Sequence, residues 1–91
     1  MIEPMLINEI SNALNAYKQA ITRTSDMQEK DDYSRLASIT EKVITAMESG
    51  DVEQIKLGVL GFSRQVSDSF STQPPEFKAL AQRIAEVKKA I

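Results

Sequence analysis

The sequence predicts an all-α protein, an antiparallel up-down four-helix bundle. Three observations carry this reading. Apolar residues recur at three- and four-residue spacing in four separate runs, start or stop signals edge most of those runs, and the runs are similar in length. The 91 residues are enough chain for a single helical domain spanning 1–91.

The first helix is expected over about 4–24, where Ile7, Ile10, Leu14, Tyr17 and Ile21 keep a strict alternation of three- and four-residue steps. At 100° per residue these five form a narrow stripe, which Ile2, Leu6, Ala13 and Ala20 widen on one side. Pro4 suits a first turn, where its missing N–H costs nothing. The polar stretch from Ser25 to Asp31 loses the phase of this stripe and reads as the first loop. A capping box from Ser25 to Gln28, opening the next helix early, stays open as an alternative.

The second helix is expected over about 32–49, with Tyr33, Leu36, Thr40, Val43 and Met47 inward, flanked by Ala37, Ile39 and Ile44. Asp31 and Asp32 would complement the positive helix start, and Gly50 stands where a left-handed cap is wanted. The third is expected over about 51–71, with Asp51 capping, Gln54 completing the box, and Val52, Ile55, Val59, Phe62, Val66 and Phe70 as its stripe. The fourth is expected over about 75–90. It opens at Pro74-Pro75-Glu76, buries Phe77, Leu80, Ile84, Val87 and Ile91, and ends with Lys88 and Lys89 complementing the negative pole. Helices of roughly 16 to 22 residues span ~25–33 Å, a good mutual match. Short connections make successive helices antiparallel neighbours, although hairpins exchanged between two chains would show the same pattern.

Composition excludes several classes of chemistry. The chain has no cysteine, hence no disulfide, thiolate zinc site or thiol nucleophile, and no histidine, hence no imidazole base, ligand or phospho-relay. Neither a Gly-rich phosphate loop nor a calcium-loop pattern is present. With 11 basic and 13 acidic side chains the net charge of −2 argues against general binding to nucleic acid or to an anionic membrane. Helix 4 carries Lys78, Arg83, Lys88 and Lys89 against Glu76 and Glu86, a scattered excess that reads as a solvated face. An acid at Glu3, and Asn8 and Glu9 breaking the first apolar stretch, leave no signal sequence or membrane span, so the expected location is cytoplasmic. No cofactor and no metal is expected. The densest acids, Glu29, Asp31 and Asp32, read as a solvated loop and helix start. Nothing in the sequence places catalytic residues in a pocket, and the chain is read as a non-enzyme.

Asp68-Ser69-Phe70 resembles the Asp-Ser-Leu prosthetic-group site of the acyl carrier proteins, which are also small, acidic and four-helical. In that family the serine opens the second helix, whereas Ser69 falls near the end of the third, among Ser63, Ser67 and Ser71. The match is set aside.

One feature remains. By the 100° rule Leu57 projects about 180° from the core direction of the third helix, and Leu60 about 120°. Gly58 and Gly61 lie beside them, each costing up to ~1 kcal/mol relative to Ala within a helix. Such a helix could be packed on both sides within the chain, pair with its own copy, or receive another protein. A local distortion at Gly58–Gly61 that turns Leu57 inward would be a fourth arrangement. Leu57, Gly58, Leu60, Gly61 and Arg64 are taken as the candidate interaction residues, and the partner as a protein or a second copy, most simply in a homodimer. The expected function is that of a small adaptor or regulator. In length and antiparallel four-helix layout the chain is also similar to the bacteriocin immunity proteins, many of which are more basic. That resemblance is architectural, with no motif behind it, and implies toxin neutralisation as the alternative function.

Overall fold

The computed structural model describes residues 3–69 and 72–91, so the expected places of Ile2 and Phe70 and the expected helix end at residue 71 lie outside it. Among the described residues there are four α-helices and no strands: α1 (Pro4–Arg23), α2 (Met27–Ser49), α3 (Val52–Asp68) and α4 (Glu76–Ala90). They pack within one chain as an up-down antiparallel bundle, α2 between α1 and α3, with α4 against the other side of α1. The bundle measures 39 × 22 × 18 Å, so its long axis is little more than the length of one helix.

The start of α2 differs from the expectation of a helix from residue 32. Asp26, not the Asp31–Asp32 pair, is the cap: its side chain accepts from the Glu29 N–H at 3.1 Å, and the helix begins at Met27. The Glu29 carboxylate accepts from Thr24 Oγ1 at 2.8 Å, tying the new first turn to the end of α1. The early start that the sequence also allowed is therefore the observed one, with Asp26 rather than Ser25 as its cap. The end of α2 follows expectation. Gly50 adopts φ +74°, ψ +19°, its N–H reaches back to Ala46 and Met47, and the Asp51 N–H bonds the Ala46 carbonyl at 3.1 Å. Asp51 then caps α3 through the Gln54 N–H at 3.2 Å. α3 runs to Asp68; Ser69 after it is extended, and its hydroxyl donates to Asp32 Oδ2 at 3.2 Å.

The core is built from the expected stripes. Ile10, Leu14, Tyr17, Leu36, Val43, Ile55, Val59, Phe62, Leu80, Ile84 and Val87 are buried in one continuous cluster. Buried Thr40 satisfies its hydroxyl on the Leu36 carbonyl at 2.8 Å, the usual accommodation of threonine inside a helix. Ile7, Ile21, Val66, Phe77 and Ile91 of the same stripes are partly buried against this cluster, while Val52, the first residue of α3, is exposed.

Packing is uneven around the bundle. α3 and α4 touch over far less of their length than any other neighbouring pair. They meet where Phe62 and Phe77 stack, centroids 6.3 Å apart and planes within 5° of parallel. Away from that stack they part to form a groove of about 420 Å³ lined by Lys56, Val59, Leu60, Ser63, Lys88 and Ile91.

α2 and α3 lie closest, and glycine is the reason. A Cβ on Gly58 would stand 2.6 Å from Val43 Cγ2 and 3.5 Å from Val43 Cα, so any side chain would collide with a stiff β-branched residue of α2. At Gly61 a Cβ would meet only Ile39 Cγ2, at an ordinary 3.7 Å. α3 runs as unbroken α-helix through both glycines, without the distortion considered from the sequence.

The two glycines should therefore respond oppositely to alanine. Gly61→Ala is expected to stabilise by about 0.5–1 kcal/mol through helix propensity alone. Gly58→Ala is expected to destabilise by about 1–2 kcal/mol, overpacking outweighing the propensity gain. In a Val43→Ala background, where the clash is gone, Gly58→Ala should be neutral or stabilising. Urea denaturation of the four variants checks this; equal effects at the two glycines would contradict the close approach.

Candidate functional site

The rotation of α3 that sets Gly58 against α2 fixes what the helix shows to solvent. Leu57 is 59% exposed and Leu60 48%; the other exposed large apolar residues among those described, Met5, Met27 and Val52, stand in the first turns of their helices. Arg64 is exposed on the same side, and so is Glu53. At 100° per residue, positions 53, 57, 60 and 64 fall within an arc of about 60° opposite the buried stripe of Ile55, Val59 and Phe62. Of the residues singled out from the sequence, Leu57, Leu60 and Arg64 are thus brought onto one outer stripe. Gly58 and Gly61 are half-buried and turn toward α2. Glu53 was missed; its signal was its place one turn before Leu57.

Shallow grooves flank the stripe. On the α2 side Ile39, Lys42, Gln54, Leu57, Gly58 and Gly61 line one of about 240 Å³, to which the missing side chains of the glycines contribute the floor. On the α4 side lies the larger groove described above, with Leu60 on its lip. Both have apolar floors and lysines at the rim, an arrangement suited to covering by another surface rather than to enclosing a small molecule.

Buried polar groups gather elsewhere, at the end of the bundle where α3 passes to α4. Tyr17 is fully buried and donates to Gln73 Oε1 at 2.9 Å, and Tyr33 donates to the Thr72 carbonyl. The two rings meet edge to face, 5.8 Å apart, and Tyr17 lies 6.5 Å from Phe77. Asp32 is buried beside them and accepts from Ser69. An ion pair between Arg23 and Glu76 closes the rim, and the hydrogen bond from Arg23 holds the Glu76 carboxyl below the usual carboxylate range. Burial, then the neighbouring Tyr33 and Asp32, pushes Tyr17 far above the ordinary tyrosine value. Burial also raises Tyr33, helped by Glu29, Asp32 and Asp26. Hydroxyls held this firmly protonated act as fixed donors, not as bases.

The acid cluster read from the sequence is divided by this arrangement: Glu29 bonds Thr24, Asp32 points inward, and Asp31 faces solvent. Asp32 is thus a structural acceptor rather than part of a solvated loop. Among the described residues no three acidic side chains are grouped so as to hold a metal ion.

Raised tyrosine values link stability to alkaline pH. Below the ordinary value of 10.0 both states keep the phenolic protons and the contribution is complete. Above it the unfolded chain releases protons that the folded chain retains, so stability falls as pH rises. The urea midpoint is expected to drop as the pH rises above about 10, and the drop to shrink in Tyr17→Phe and further in Tyr17→Phe/Tyr33→Phe. An unaltered pH dependence in the double variant would exclude these tyrosines as its source. Comparison with known proteins finds no matching family model, no matching curated protein and no matching solved structure.

Proposed function

We propose that this chain is a non-enzymatic interaction protein of the cytoplasm, whose outer α3 face binds a protein surface. The observation that carries the reading is the exposure of Leu57 and Leu60, neighbours on one helix stripe, in a domain small enough to need its apolar side chains inside. Single exposed leucines are ordinary. Two adjacent ones, edged by grooves with apolar floors and lysine rims, make a patch that gains by being covered. Among the described residues no helix is long and apolar enough to cross a membrane, so the patch is not part of a transmembrane span.

Covering what remains exposed of both leucines is worth about 2 kcal/mol, a factor of roughly thirty in affinity. Leu57→Glu/Leu60→Glu is therefore expected to keep the helical circular dichroism signal while losing the complexes that the wild-type chain forms. Affinity capture followed by light scattering, with the two proteins side by side, reads this directly. Identical molar masses and identical retained proteins would refute the surface.

A further inference from the structure

We propose that the partner of this face is a second copy of the chain, with α3 packed antiparallel on its symmetry mate across a two-fold axis that lies between the two helices at the level of Gly58 and Val59. The proposal rests on the reading of the α3 face as an interaction surface and names its occupant.

The stripe has a chemical symmetry. Glu53, Leu57, Leu60 and Arg64 follow one another at steps of four, three and four residues. Their pattern reads acid, leucine, leucine, base, and both the leucine pair and the charged pair are centred on the same point of the helix. A two-fold axis beside the helix at that level sets a copy against it running in the opposite direction. It lays Leu57 against Leu60 of the partner, and Leu60 against Leu57. The same operation sets Glu53 opposite the partner's Arg64 and Arg64 opposite the partner's Glu53, so each contact is made twice. A parallel alignment would instead set each charge against its own copy.

Among the described residues no hydrogen bond or ion pair engages these side chains. All four side chains are exposed, and neither Glu53 nor Arg64 forms an ion pair among the described residues. An unrelated partner would need no such self-complementary order. For a two-fold interface it is the requirement. Lys42 and Lys56 stand at the edges of the stripe, where long side chains keep their charges in water as the apolar centre is covered. An interface centred on one helix from each chain belongs to the small, transient class, so dimer and monomer should exchange with concentration in the micromolar to millimolar range.

Exchanging the charges tests the pairing with the full chain. Sedimentation velocity of the wild type across that concentration range is expected to show a monomer of 10.1 kDa passing to a dimer. Glu53→Arg alone and Arg64→Glu alone each set like charges against each other twice, and both are expected to remain monomeric where the wild type is half dimeric. The double exchange Glu53→Arg/Arg64→Glu restores opposite charges in reversed order and is expected to dimerise as the wild type does. An equimolar mixture of the two single variants should also dimerise, as a heterodimer. Both substitutions oppose the helix dipole, so thermal unfolding is followed in parallel and masses are compared well below each midpoint. A wild type that stays monomeric throughout, single variants that dimerise unchanged, or a double exchange that stays monomeric would each overturn the proposal. If the wild type is monomeric yet another protein is still captured in a Leu57- and Leu60-dependent way, the self-pairing fails while the interaction surface stands.

Discussion

The approach of α3 to α2 at Gly58 and Val43 is the constraint from which the surface of this protein follows. A helix brought that close to its neighbour has little rotational freedom: turning α3 in either direction would drive its side chains into Val43 or lift Ile55 and Val59 out of the core. The orientation that remains buries Ile55, Val59 and Phe62 and carries Leu57 and Leu60 outward. Placing a glycine mid-helix sacrifices some intrinsic helix stability, offset by apolar contact along the closest seam of the bundle. The exposed leucines are thus a result of how the core is solved.

The opposite end of the molecule is organised by directional bonds instead of close packing. Tyr17 and Tyr33 fill the space where α3 passes to α4, and each must satisfy a hydroxyl there. Both do so on the connecting segment, Tyr33 through the Thr72 carbonyl and Tyr17 through Gln73. Thr72 and Gln73, just before the two prolines that lead into α4, are thereby fastened to the first two helices. Asp32 and Ser69 add a further tie between the start of α2 and the end of α3.

Four helices were legible in the sequence because each buries a single stripe whose period is set by the backbone alone. Caps were legible where one residue type does the work, as at Gly50 and Asp51. The start of α2 was misplaced because Asp26, Asp31 and Asp32 are chemically equivalent acids, and only the fold reveals which one meets an N–H. Asp32 itself was read as a solvated acid, since burial beside two tyrosines depends on residues distant in sequence. The leucines at 57 and 60 stood out by their angle. The use of Gly58 could not be read without Val43, since the clash it avoids lies on another helix.

The weak α3–α4 seam has a kinetic side. With α4 held mainly by α1, the bundle consists of a local pair, α2 and α3, joined through the tight turn at Gly50, and a remote pair whose closure spans most of the chain. Loop-closure entropy grows with the length of chain enclosed, so the local hairpin is the cheaper element to assemble and the α1–α4 seam the more expensive. The hairpin that costs least to assemble is therefore the one that bears the Leu57–Leu60 stripe.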